Sequence, residues 1–290
     1  MQQPASAEPQ DIDGRGMKRI VTAAVLAAIC IAGNAQTDYR AAYERQVRNV
    51  GYSGVGVETI LDKWEEAEPG NIFAIEGRIN YHYSKNQRTD LVPMDKMKYM
   101  GKKAVLTMKD SLGRPLRYFE DVIFDPEEFA MCQKLIDQAI ESDPMELAYR
   151  ENKVVTMIAY EKETPELSYA IIKDLVDFDK SARPKWKSLG EEAAEGEFES
   201  LIQEFCFSLF SIGSDQSYLY FKEISAIMAK RFPKNYNFAC NVGTYYLVAA
   251  NDPKTALKYY TKVLKSDPEN DVAKTNSALA RKKMEMNAGK

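Results

Sequence analysis

The sequence predicts a mainly α-helical protein built from antiparallel helix pairs, with one β-hairpin inserted among them. Three observations predict it. From Pro126 to the C-terminus, apolar residues recur at helical spacing in runs separated only by short polar steps. Those steps resemble one another: "WEEAEPGNIFA", "AIESDPMELAY", "IMAKRFPKNYNFA" and "KVLKSDPENDVAK" each join a charged amphipathic run, a proline, a polar step and a new apolar run. The stretch "KKAVLTMKDSLGRPLRYFEDVIF" breaks the helical period with two β-rich arms around turn residues.

Residues 1–16 are polar and aperiodic and read as an upstream extension, with Met17 the expected true start. Lys18 and Arg19 then form a positive region, Ile20 to Ala32 an apolar run, and "GNA" offers small residues for cleavage after Ala35. Residues 17–35 are therefore expected to be a signal peptide, and 36–290 a single exported domain, periplasmic or secreted. The apolar run is shorter than the roughly 20 residues a bilayer requires, so no transmembrane span is expected after cleavage. A lipid anchor at Cys30 is the rival reading, although Ile29 stands where such signals carry a small residue.

The first helices are expected at Tyr39–Asn49, at Val57–Ala67 and at Ile72–Tyr83. The turn "GYSGVG" (Gly51 to Gly56) separates the first two, and Pro69 and Gly70 stop the second. Val57, Ile60, Leu61 and Trp64 share one helical face. The hairpin, in a segment of about 100–125, pairs Ala104–Lys109 with Leu116–Phe124 across Asp110, Ser111, Gly113 and Pro115. The preceding "NQRTDLVPMDK" reads as a loop. Further helices follow at Pro126–Ser142, Met145–Glu161, Pro165–Asp179, Trp186–Gly190, Glu192–Ile212, Ser217–Arg231, Asn235–Ala250, Pro253–Ser266 and Asn270–Ala288. Several open just after "DP" or "TP", where proline fits the first turn and Asp or Thr can cap it.

Composition and isolated motifs exclude several chemistries. A net charge of -4 argues against a partner held by its phosphates, so no nucleic acid is expected. Cys132, Cys206 and Cys240 are an odd set once Cys30 leaves with the signal, and each sits in an apolar pattern; they read as small buried hydrophobes. The single histidine, His82, cannot build a histidine-rich metal site. Ser53 fails the G-x-S-x-G spacing because of Val55, and Thr59 breaks G-x-G-x-x-G. A Ser53–His82 dyad competes with a plain helix-linking turn, and the turn is preferred. The acidic run Glu191 to Glu199 reads as a solvated helix start favoured by the helix dipole, not as paired catalytic carboxylates. "RPKWK" (Arg183 to Lys187) reads as a loop entering a helix. No catalytic residue, cofactor or metal is assigned.

The segment "NVGTYYLVAANDPKTALKYYTKVLKSDPEN" (Asn241 to Asn270) resembles a tetratricopeptide repeat. Gly243 and Tyr246 match the small and aromatic positions of its first helix, Ala256 and Tyr260 those of its second, and Pro268 the terminal proline. The turn is one residue longer than the usual frame of about 34 residues. "GVGVETILDKW" and "NIFAIEGRINYHYSK", followed by the hairpin, are similar to secreted tetratricopeptide-like proteins of Bacteroidales. The resemblance implies a right-handed solenoid whose stacked pairs cover one another's apolar faces. It also implies a non-enzymatic interaction scaffold that binds a protein or peptide partner on the concave side. Mapping the first helix of each pair selects Glu76, Asn80, Tyr83, Glu151, Asn237 and Thr244 as partner-binding candidates. The alternative is a carbohydrate-binding accessory protein or hydrolase of the cell envelope, with aromatics stacking on sugar. Asp110-Ser111-Leu112 resembles the O-glycosylation acceptor of secreted proteins in those bacteria.

Overall fold

The computed structural model describes residues 38–288; the expected upstream extension, the signal peptide and Cys30 lie outside the described residues. Eleven helices and seven strands occur among the described residues. The first three helices are α1 (Tyr39–Val50), α2 (Val57–Ala67) and α3 (Ile72–Lys85). Strands β1 (Gln87–Met94), β2 (Lys98–Tyr99), β3 (Lys102–Lys103), β4 (Leu106–Lys109) and β5 (Pro115–Phe124) follow. Helices α4 (Pro126–Ser142), α5 (Leu147–Glu161) and α6 (Glu166–Ala182) precede the strand pair β6 (Lys187–Ser188) and β7 (Glu191–Glu192). The chain continues with α7 (Glu197–Ile212), α8 (Asp215–Arg231), α9 (Tyr236–Val248), α10 (Pro253–Ser266) and α11 (Asp271–Ala288).

One turn recurs, and it explains the repeated prolines. Glu68, Asp143, Phe232 and Asp267 each end a helix and are each followed by proline. Two residues after that proline stand Asn71, Glu146, Asn235 and Asn270, whose side chains accept a backbone N–H from the first turn of the next helix. In every case the backbone N–H of this capping residue donates to the carbonyl of the residue before the proline, at 3.0 to 3.2 Å. Proline presets the second position of such a turn, and the capping side chain satisfies an amide the helix leaves orphaned. The "DP" starts behave as expected at α4 and α10, where Asp125 and Asp252 accept from the first-turn amides. At α6 the "TP" expectation fails, because Glu161 supplies the acceptor for the Leu167 and Ser168 amides instead of Thr164.

Consecutive helices pack on one another from α1 to α6 and from α7 to α11, and alternate helices also meet: α1 with α3, α5 with α7, α6 with α8, α9 with α11. Buried apolar side chains form successive sets. Tyr43, Leu61, Trp64 and Ala74 join α1 to α3, and Ile79, Cys132, Ile136 and Tyr149 join α3 to α5. Ile172, Ile202, Phe205, Ile224 and Phe238 belong to the set running from α5 to α9, and Cys240, Ala256, Tyr260 and Ala280 to the last. Helices α3, α5 and α9 each serve two sets, so no helix pair completes a core alone.

The expected hairpin is present as β4 and β5, but it is part of a three-stranded antiparallel sheet of order β1-β5-β4. The stretch expected to be a loop supplies β1, paired with β5 from Gln87↔Phe124 to Met94↔Arg117. β1 is a largely exposed edge strand containing Pro93, so it lacks the apolar alternation that marks a strand in sequence. The sheet is fastened to the helices. Asp121, buried on its inner face, accepts from the Tyr99 hydroxyl (2.8 Å) and from Lys162 Nζ (2.7 Å) beyond α5. Gly101, at φ 74°, lies so close to α7 that a Cβ there would stand 2.4 Å from the Ser211 carbonyl. Its outer face leaves Leu91, Leu106 and Met108 exposed.

A second correction concerns residues 186–196. The helices expected at Trp186–Gly190 and from Glu192 are replaced by the hairpin β6–β7 and a later start of α7 at Glu197. The cause is tertiary. Fully buried Glu146 caps α5 and also accepts the amides of Leu189 (3.0 Å) and Gly190 (2.8 Å), which fixes the hairpin against the α4–α5 turn.

Candidate functional site

Polar side chains link α3 to α5, α7 to α9 and α9 to α11. Asn152 of α5 donates its amide to both carboxylate oxygens of Glu76 on α3, at 2.8 and 2.9 Å. Gln203 of α7 and Asn241 of α9 exchange amide hydrogen bonds in both directions, at 2.9 and 3.3 Å. Asn276 of α11 donates to Thr244 Oγ1 of α9 (3.5 Å), and that hydroxyl also meets the Tyr260 hydroxyl and the Cys240 carbonyl. Between these contacts, Glu151 of α5 lies within electrostatic reach of Glu204 on α7. Each of these residues sits one step off the apolar stripe of its helix, at the seam where the next odd helix arrives.

The seam is most unusual at Glu76 and Glu151. Burial lifts the Glu76 carboxyl to about 7; the Asn152 amide opposes this, while the charges of Glu151 and Glu146 add to it. Burial, and then Glu204, lift Glu151 to about 7 as well. Desolvation disfavours the charged form, and like charges reinforce it. Neither carboxylate makes an ion pair with a lysine or arginine among the described residues. Two phenols face the same charge. Tyr43 of α1 and Tyr149 of α5 are held above the usual tyrosine value by burial, and the Glu76 charge contributes to both.

The six expected partner-binding residues fare differently. Glu76 and Glu151 lie together in the seam. Asn80, one turn beyond Glu76 on α3, is half-buried. Tyr83 packs on the Cys132 and Ile136 core, and its ring lies 6.1 Å from that of Phe124. Asn237 is exposed in the first turn of α9, and the Thr244 hydroxyl is engaged internally. Sequence reasoning missed Asn152, Gln203, Asn241 and Asn276. An amide placed beside an apolar stripe, as in "RENKVV" or "ACNVGT", was the available signal.

Other places hold less. A cleft of about 410 Å³ beside β6–β7 is lined by Trp186, Phe198, Arg183, Lys185, Glu192 and Arg231, among others. Its central groups are committed: the Trp186 indole donates to Asp179 Oδ1 (2.6 Å), Arg231 is paired with the other Asp179 oxygen, and Trp186 is stacked on Phe198. The Ser53–His82 dyad is not formed, since Ser53 Oγ meets Ser84 Oγ and His82 Nδ1 meets Glu128. In the acidic run, Glu197 and Glu199 do occupy a first helical turn, whereas Glu191 and Glu192 belong to β7. Cys132, Cys206 and Cys240 are free and buried, and burial raises their thiols to about 12, 12 and 11. Ser111 is exposed at the tip of the β4–β5 turn, where Asp110 accepts the Leu112 and Arg114 amides. No helix among the described residues is long and apolar enough to cross a membrane. No protein-family model matches the chain, and no curated protein matches it.

Proposed function

We propose that this chain is a non-enzymatic interaction scaffold of the periplasm or the extracellular space. In this reading it is a right-handed tetratricopeptide-like solenoid of antiparallel helix pairs that holds a protein or peptide partner along the seam of its odd-numbered helices. The observation that carries the reading is the seam itself, where side-chain hydrogen bonds link α3 to α5, α7 to α9 and α9 to α11. Side chains fixed by one another before a partner arrives lose little freedom on binding, which favours recognition of an extended segment. The four equivalent turns and the sharing of odd helices between core sets support the solenoid part of the proposal.

The test is site-specific photo-crosslinking in the exported protein. A crosslinker at Asn80 or Gln203 should capture a discrete partner, and one at exposed Lys134 on α4 should not. Equal capture from all three positions, or capture from Lys134 alone, overturns the assignment.

A further inference from the structure

Strand β1 ends the three-stranded sheet, and one side of its backbone is unpaired among the described residues. Arg88, Thr89, Asp90 and Leu91 are all exposed there. Which groups point outward follows from the ladder. The Asp125 N–H donates to the Asn86 carbonyl at 2.6 Å, and the register then runs from Gln87↔Phe124 to Met94↔Arg117 without a bulge. Antiparallel partners alternate between exchanging hydrogen bonds and not, so Arg88, Asp90 and Val92 bond to β5. Gln87, Thr89 and Leu91 therefore aim their N–H and C=O groups away from the sheet, where no other backbone group among the described residues meets them. Pro93, the next outward position, has no N–H to offer, so the usable edge runs from Gln87 to Leu91.

A bare edge is a template for another strand, and the side chains say which one. Arg88 and Asp90 flank Thr89 on one face of β1, 3.2 Å apart. A second copy laid antiparallel about a twofold axis at Thr89 sets outward residues against outward residues, Gln87 against Leu91 and Thr89 against itself. Every outward N–H then has a carbonyl. The same register places Arg88 of each copy opposite Asp90 of the other, and opposite charges across a strand pair are stabilising. An axis at Leu91 would set Arg88 against Met94 and Thr89 against Pro93, which lacks a donor. An axis at Gln87 would set Thr89 against Lys85, which belongs to α3. Backbone and charge thus select the same register.

We propose that β1 pairs with β1 of a second copy of this chain about a twofold axis at Thr89, joining two three-stranded sheets into one of six strands. The contact uses the same residues on both copies, so it consumes the edge and closes at a dimer. It shares no residue with the seam and does not depend on what the seam holds.

The test is sedimentation velocity of the protein from about 1 μM to about 1 mM, a span suited to the weak affinity of a small interface. A dimer should form within it. Thr89→Pro removes an N–H that β5 does not use, at an outward position like that of Pro93, so the circular dichroism should be kept and the dimer lost. R88D and D90R each set like charges opposite across the axis, and each should weaken dimerisation about tenfold. Mixed together, these two variants should pair with one another about as well as the parent pairs with itself, and the double variant R88D/D90R should dimerise like the parent. A protein that stays monomeric throughout overturns the proposal, as does a dimer that Thr89→Pro and both charge reversals leave intact. Failure of the mixed variants to pair overturns the register and the twofold contact with it. An extended threonine-valine peptide that shifts the Thr89 amide resonance while no dimer forms shows an edge that takes other chains, and overturns the second copy as its occupant.

Discussion

A Cβ placed on Gly243 of α9 would stand 2.6 Å from Cε1 and 2.9 Å from Cζ of Tyr260 on α10. Tyr260 is fully buried, so its ring has no space to retreat into. The two helices approach as closely as they do because one of them lacks a side chain at the crossing, and the aromatic of the other fills that space.

Gly243→Ala should therefore destabilise the protein by about 1–3 kcal/mol in urea denaturation, although alanine is the better helix former. In a Tyr260→Leu background the same change should become neutral or stabilising, because the clash is gone and the propensity gain remains. An equal cost in both backgrounds would refute the contact as the cause.

Glu146 accepts three backbone amides, one from its own helix and two from the β6–β7 hairpin. Glu146→Gln turns one acceptor into a donor facing an N–H, and should cost about 1–3 kcal/mol. Amide hydrogen exchange should accelerate selectively across residues 187–192, while α9 to α11 keep their protection.

Stability should depend on pH through Glu76 and Glu151. Their folded values, about 7, lie above the ordinary 4.5, so between roughly pH 4.5 and 7 the folded state binds more protons than the unfolded chain. Their contribution is complete below the unfolded value and is lost as pH rises through the folded one. Discounted for partial solvent access, the loss is about 1 kcal/mol or more per group. Glu76→Gln should flatten this part of the denaturation profile; an unchanged slope between pH 5 and 7.5 would show that Glu76 does not titrate there.

The helices were legible because their causes are local. Pro69, Pro144, Pro233 and Pro268 announce turns that close within four residues, and the capping residues, three asparagines and Glu146, stand beside them. The strand β1 and the hairpin β6–β7 were not legible, because their causes are remote: β1 exists by pairing with β5, and the hairpin by the reach of Glu146. The seam was half legible. Glu76 and Glu151 were selected from the repeat frame, but Asn152, Gln203, Asn241 and Asn276 gain their meaning only from the side chain each meets on another helix.

Each proline turn is complete in itself, bonded and capped without help from distant residues. Copying Asn235 to Glu269 and inserting the copy before Asn270 would regenerate a junction of the same grammar at both splice points. The number of helix pairs can therefore change by duplication or loss in a single genetic event, with no new joint to invent. Growth by whole units is open to this architecture.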